Sequence, residues 1–261
     1  MFDLAVLDAE LAGTLFAGKL HFSRVTGSTN SDAVAAARSA APHGSVYFSD
    51  EQLAGRGRSD HGWISAAGEG LYVSVLLRPQ FSAARLAFAP LAAGLAAADA
   101  IRAVSGVAVD LRWPNDLLIG ARKTGGILVE ANIDSKGLPH AVVVGIGINV
   151  HQRAFPPDLA TPATSLDLET HRYIGRQDLL LALLKSLQQE AFALASPDAA
   201  KDVAARVEKA STWMRGRRVE VHGPQACSGV TAGLDENGFL RVATPHGLVT
   251  VQTGGLRARK D

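Results

Sequence analysis

Residues 140–150, HAVVVGIGINV, constrain the fold more than any other stretch of the chain. A long apolar, β-branched run of this kind predicts a strand buried on both faces in the middle of a sheet. Such a strand needs neighbours along both edges and a layer over each face. The chain offers candidates for both. LHFSRVT (20–26), SVYFSD (45–50), LYVSVLLR (71–78), VDLRW, DLLI and GILVEANI have strand character, with Gly, Pro and Asn between them. SDAVAAARSA, entered through Ser28-Thr29-Asn30, predicts an alanine-rich helix, and Thr29 with Asp32 three positions on predicts a capping box. Residues 82–104 predict a long helix bent near Pro90, and 176–195 and 197–212 predict two amphipathic helices. Residues 54–70, rich in Gly, Arg, Ser and Asp, predict a long functional loop, and the proline-bearing stretch 152–170 predicts another. From Arg217 the pattern changes to four or five short strands split by Gly, Asn and Pro, which predicts a small SH3-like β-barrel. The fold class expected is α+β: a mixed sheet with helices over residues 1–213, then the barrel over 214–261.

Composition sets limits on function. Of 261 residues, 47% are hydrophobic and 20% charged, enough apolar material for a sizeable core and too much for global disorder. The formal net charge of +1 gives no general field toward nucleic acid or anionic lipid. Cys227 is the only cysteine, which excludes an intrachain disulfide and a cysteine-built zinc site and fits a reducing compartment. It is read as a small buried apolar residue of the barrel. Acidic residues interrupt the apolar ones at the N-terminus, and no basic region precedes an apolar core, so a signal peptide is not expected. Charges or breaks interrupt the longest apolar stretches before the ~20 residues of a membrane span. A soluble cytoplasmic protein is expected. His43, His61 and His151 are read as surface or loop histidines without a role.

Four short motifs suggest chemistry. Gly55-Arg56-Gly57-Arg58 suits neither helix nor strand; its glycines let backbone N–H groups approach a ligand, and its arginines offer forked donors for carboxylate or phosphate. A solvated basic loop is the equally weighted plain reading. Arg112-Trp113-Pro114-Asn115-Asp116 sets an amide and a carboxylate at the mouth of a strand pair, although Pro, Asn and Asp also simply favour turns. Lys123 lies just before Gly125-Gly126 and a strand, where a compact cation could meet an acyl or phosphoryl oxygen; no Walker-type GxxxxGK[ST] occurs, and a hairpin with an exposed lysine is the alternative. Gly145-Ile146-Gly147-Ile148-Asn149 marks close approach of a ligand or another backbone inside a strand, without the third glycine and following helix of a dinucleotide fingerprint.

Taken together and in order, Ser28-Thr29-Asn30, Gln52 with GRGR, WPND, RKTGGILVE and GIGIN resemble the catalytic core of biotin–protein ligases, closely over residues ~20–150 and then to the end of the chain. The resemblance implies a catalytic domain related to class II aminoacyl-tRNA synthetases, followed by an SH3-like domain. It implies that biotin is activated with ATP and Mg²⁺ and transferred to a lysine of the biotin carboxyl carrier protein of acetyl-CoA carboxylase or a related carboxylase. By the same resemblance Ser28, Thr29, Asn30 and Gln52 hold the biotin ring, and Arg56, Gly57, Arg58, Lys123 and Gly126 complete the biotin site. Arg58, Trp63, Asn115, Asp116, Lys123 and Asn149 surround the nucleotide. Lys123, Asp116 and Arg58 are the catalytic candidates, Asp116 being placed to assist the acceptor lysine. Gly126, Gly145 and Gly147 keep the pocket floor thin. Trp63 is weighed equally as a ligand contact and as ordinary packing. No protein metal ligands are assigned.

Some features depart from the pattern. Leu53 follows Gln52 where many relatives are polar, and Asp60 sets a negative charge near the phosphates. Only 27 residues precede Ser28, too few for a helix-turn-helix domain, so specific DNA binding is not expected, nor is membrane association. The choice between monomer and homodimer stays open. The runner-up is a lipoate ligase or octanoyltransferase; a biotin-sensing repressor and a plain structural protein with an interaction module are the non-enzymatic alternatives.

Overall fold

The computed structural model describes residues 2–58, 61–79, 83–134, 137–196 and 198–259. In chain order it has α1 (Leu4–Glu10), β1 (Leu20–Thr26), α2 (Thr29–Arg38), β2 (Ser45–Gln52) and β3 (Gly70–Leu77). A 3-10 turn (Ala83–Phe88) leads into α3 (Ala89–Ser105), followed by β4 (Asp110–Arg112), β5 (Asp116–Ile119), β6 (Arg122–Ile133) and β7 (Pro139–Asn149). Then come α4 (Leu166–Thr170), α5 (Arg176–Ala195), α6 (Ala199–Ala210), and β8 (Arg215–His222), β9 (Cys227–Leu234), β10 (Leu240–Thr244), β11 (Gly247–Val251) and β12 (Gly255–Ala258).

The first seven strands form one sheet in the order β1-β2-β3-β7-β6-β5-β4. It is mixed: β1 and β2 run parallel, and the other neighbours antiparallel. The apolar run 140–150 accordingly supplies the central strand. Leu91, Ala96, Ile101, Leu180 and Leu184 of α3 and α5 share a buried cluster with Val142, Val144, Ile146 and Ile148 of β7. On the opposite face Ala33 of α2 packs with Leu76, Ala141 and Val143. Both faces are covered, which is why this strand reads as continuously apolar. The last five strands form an antiparallel sheet, β11-β10-β9-β8-β12. Its Val219, Val221, Leu240 and Val242 belong to the same cluster as α3 and α5, so one core runs through both sheets.

Several expectations change on contact with the structure. Thr29 and Asp32 make no capping box: Ser28 stands at the N-cap without a side-chain cap bond, Asp32 accepts the Thr26 hydroxyl at 2.7 Å, and the Thr29 hydroxyl turns to other partners. Pro90 does not bend a helix; it occupies the first turn of α3, where its missing N–H has no partner to lose. The end of the stretch 152–170 is helical, because the Ser165 side chain caps α4. An initial helix, α1, forms where none was read, capped by the Asp3 carboxylate accepting from the N–H groups of Ala5 and Val6. Finally, Ala83–Ser105 is long and apolar enough to cross a membrane by composition, with a hydropathy of 1.4, but its apolar face forms part of the core.

Candidate active site

A cleft of about 470 Å³ opens where the N-terminus of α2, strands β3, β6 and β7, the Gly/Arg loop and two turns of the C-terminal sheet meet. Ser28, Thr29, Asn30, Gln52, Arg56, Gly57, Arg58, Trp63, Asn115, Asp116, Lys123 and Gly126 all line it. Residues far apart in the chain thus converge on one wall, as their motifs suggested.

One end of the cleft is neutral and hydrogen-bonding. The parallel pairing of β1 with β2 sets Thr26 opposite Gln52, and the turn into α2 then brings Thr29 to it: Gln52 Oε1 accepts the Thr29 backbone N–H at 2.9 Å. Thr29 Oγ1 lies 2.8 Å from Ser74 Oγ, and Ser74 donates to Asn30 Oδ1 at 2.6 Å. Gln52 Nε2 donates to Ser65 Oγ at 2.7 Å. Ser28, Thr29, Asn30 and Ser74 are buried, so these bonds are shielded from water.

The other end is ionic. Asp116 lies between Lys123 Nζ at 2.5 Å and Arg112, whose Nη2 and Nε donate at 2.6 and 3.0 Å. Burial pushes the Asp116 carboxyl up, but Lys123 and Arg112 outweigh it and hold the group below its ordinary value. Lys123 is fixed from behind: its N–H donates to Pro162 O at 2.7 Å, and its carbonyl accepts from Thr164 at 2.9 Å. Arg58 reaches across to the C-terminal sheet, donating to Gly254 O at 3.0 Å and Thr253 Oγ1 at 3.2 Å, with a longer contact to Asn115 Oδ1 at 3.4 Å. Burial lowers the Arg58 pKa while Asp116 opposes that shift.

Between the two ends the floor is glycine, and the loop's own residues fill the space. A Cβ on Gly147 would lie 2.6 Å from Trp63 Nε1, and one on Gly145 would lie 2.0 Å from Asn30 Oδ1. Trp63 therefore packs on the floor and faces the cleft at once, with Lys123 Nζ 5.5 Å from its ring centroid. Its buried Nε1 has no hydrogen-bond partner among the described residues. The loop closes as a narrow hairpin, with Gly57 N–H donating to His61 O at 2.7 Å and Trp63 N–H to Gly55 O at 2.8 Å. Asp60, read as a departure from the family pattern, lies outside the described residues.

Asn149, read from the sequence as a nucleotide contact, is not among the residues that line the cleft. Its amide nitrogen donates to Thr164 O at 3.0 Å and so braces the segment that holds Lys123. The sequence reading also missed residues. Ser74 had a signal, a lone serine in an apolar strand. Arg112 stood beside the turn motif without a role. Thr253, Gly254 and Arg257 line the cleft from the C-terminal sheet and its turns, and only the Gly254-Gly255 pair hinted at it.

Fold and cleft together define a ligase of the biotin/lipoate class: the model of the Biotin/lipoate A/B protein ligase family matches residues 22–149. The biotin--[acetyl-CoA-carboxylase] ligase of Mycobacterium tuberculosis is 34% identical over 238 residues, covering 88% of this chain and 85% of that one. The bifunctional ligase/repressor BirA of Bacillus spizizenii is 36% identical over 167 residues, and the match spans about half, 51%, of that protein's length. Among solved structures, the biotin protein ligase from Aquifex aeolicus in complex with biotin and ATP superposes with a TM-score of 0.80 at 28% identity, over 94% of this chain and 100% of that one. The chain belongs to the biotin–protein ligase family.

Proposed function

We propose that the cleft joins biotin and ATP as biotinyl-5′-AMP and then transfers the biotinyl group to one lysine of a biotin carboxyl carrier protein of acetyl-CoA carboxylase or a related carboxylase. The observation that carries this reading is the two-ended cleft: a neutral hydrogen-bonding end fit for a ureido ring, and a cationic end fit for two anions, joined by a glycine floor. Ser28, Thr29, Asn30 and Gln52 hold the ring, and Gly126 and Trp63 flank the chain that follows it. The biotin carboxylate attacks the α-phosphorus and pyrophosphate leaves. Two anions must meet for this, and Lys123, Arg58 and Arg56 offset their repulsion. In the second half-reaction the neutral acceptor amine attacks the acyl carbon, the bond from that carbon to the AMP phosphate oxygen breaks, AMP leaves, and the proton lost by the nitrogen passes to solvent.

Asp116 acts here chiefly by charge. A carboxylate held below its ordinary pKa is a weak base, so it orients Lys123 and Arg112 and stabilises the positive charge that develops on the nitrogen as the neutral amine attacks. Among the described residues no group of three metal-ligating side chains occurs, and both Asp116 oxygens are engaged by cations. These residues do not fit a protein-held Mg²⁺ site, and no step depends on one; Mg²⁺ belongs to the ATP phosphates. The need for ATP and a carboxylase acceptor fits a cytoplasmic reaction.

The test is pyrophosphate release with biotin against lipoate. Biotin-dependent release, followed by labelling of a carrier protein at one lysine, supports the reading. Release with lipoate and none with biotin overturns it.

A further inference from the structure

We propose that Glu130 sets the direction of hydrogen bonding at the neutral end of the cleft and so selects a ring carrying N–H donors. The inference rests on the biotin reading above. Glu130 sits on β6 and does not line the cleft. Its Oε2 accepts from Asn30 Nδ2 at 2.8 Å and from Arg56 Nη2 at 2.5 Å.

The consequence follows from counting protons. A carboxylate only accepts, so the NH₂ end of Asn30 must face Glu130 and its oxygen must face Ser74. The Leu128 carbonyl, 3.3 Å from the same nitrogen, favours the same orientation. Asn30 Oδ1 is an acceptor, and Ser74 Oγ lies 2.6 Å away, so the single Ser74 proton goes there. The proton between Ser74 and Thr29, whose oxygens are 2.8 Å apart, must then come from Thr29. Thr29 has no second proton for Gln52 Oε1, 3.2 Å away, which keeps the Thr29 backbone N–H. Gln52 Nε2 is committed to Ser65.

Thr29 Oγ1 and Gln52 Oε1 are therefore left with lone pairs at the cleft. A ureido ring brings two N–H groups to such acceptors, and a dithiolane ring brings none. Were Asn30 to turn over, Ser74 would donate to Thr29 and Thr29 to Gln52, so Gln52 Oε1 would be filled within the protein and Thr29 Oγ1 would keep only one lone pair. Glu130 is thus a positioning residue. It acts through Asn30, and through Arg56 it ties the ring pocket to the Gly/Arg loop.

The experiment compares biotin with its two cyclic carbamate analogues, in each of which one ureido N–H is replaced by oxygen. Binding is measured by calorimetry and turnover by pyrophosphate release, on the wild type, Glu130→Met and Glu130→Gln. The Glu130 side chain is 32% exposed, so both variants leave the core intact. The wild type is expected to disfavour at least one carbamate by roughly tenfold to a hundredfold, the effect of leaving a buried acceptor unpaired. Glu130→Met is expected to shrink that ratio about tenfold, whereas Glu130→Gln, which keeps a carbonyl for Asn30, retains it. A ratio unchanged in Glu130→Met overturns the inference. So does an equal loss in both variants, which would assign the effect to the charge on Arg56. No biotin-dependent turnover by the wild type would bring down the biotin reading itself, a result separable from either of these.

Discussion

Lys123 shares its charge between the Asp116 carboxylate and the face of Trp63. A ligand carboxylate or phosphate arriving there meets a cation whose position is already set by the backbone bonds at Pro162 and Thr164. Lys123→Ala is therefore predicted to keep the fold and lower adenylation about a hundredfold, on the order of 3 kcal/mol for one charge-assisted contact made in the transition state. Near-normal pyrophosphate release by the variant would remove Lys123 from this role. Asp116 gives a pH prediction. Its folded pKa lies below the ordinary value of 3.8, so its contribution to stability is present above that value and is lost as pH falls through the folded pKa. Asp116→Asn should destabilise by on the order of 3 kcal/mol near neutrality, because it leaves two cations beside an uncharged amide. Chemical denaturation through an acid titration should show wild type and variant converging below pH 3.8. At this scale the sequence was informative wherever a motif set a residue type against its surroundings. Lys123 before two glycines and Asp116 after a proline turn were both legible. The bond from Asn149 to Thr164 was not legible, because a polar residue closing an apolar strand looks alike whether it meets a ligand or braces a neighbouring segment.

The Gly/Arg loop is held at three points, each in a different part of the molecule: Arg56 on Glu130 of β6, Arg58 on Thr253 and Gly254, and Trp63 on Gly147. Fixing such a segment costs ~1–2 kcal/mol per residue, and phosphate and carboxylate oxygens can supply compensating hydrogen bonds. Amides of residues 55–58 and 61–63 should exchange more slowly when biotinyl-AMP is added; identical exchange in both conditions would refute ordering of the loop. Arg58→Gly is predicted to keep measurable adenylation but to let the anhydride escape. The assay is biotin label on an unrelated protein such as albumin at equal turnover, and labelling no higher than wild type would rule out the latch. The loop's existence was legible, because alternating Gly and Arg favours no regular element. Its attachments were not, since each depends on which strands become neighbours. The missed helix α1 has a different cause, a local cap at Asp3 that a spacing rule describes only approximately, whereas the capping box expected at Thr29 is lost to the tertiary partners Gln52 and Ser74.

The whole molecule has two sheets, and the larger apolar cluster runs through both, with polar contacts crossing the same boundary. Trp113 Nε1 donates to Gly238 O at 3.3 Å, and Arg112 and Arg217 stack on Trp213 at 5.3 and 4.3 Å. Arg112, which holds Asp116, is thus braced at the junction of the two sheets. Unfolding is predicted to be a single transition, with tryptophan fluorescence and far-ultraviolet dichroism coinciding; two separated steps would show independent domains. The net charge of +1 bears on partners at this scale. With biotin and ATP present at physiological salt, titration with promoter DNA of biotin-synthesis genes should give no submicromolar specific complex, and a salt-resistant, sequence-selective complex would contradict this. The change of pattern near Arg217 was legible as a second β unit. Its fusion to the first core was not, because the residues that join them look like any other buried valines.

The two glycines of β7 stand two apart, so both project toward the same face of the central strand. Each missing carbon is a seat for a side chain from elsewhere, Asn30 in one and Trp63 in the other. Mutational tolerance along this strand should therefore alternate residue by residue. Ile146 and Ile148, buried in the core cluster, can exchange for other aliphatic residues of similar bulk. At Gly145 and Gly147 even alanine removes a seat, so the strand that anchors the fold also records, in atoms it lacks, the shape of the site built above it.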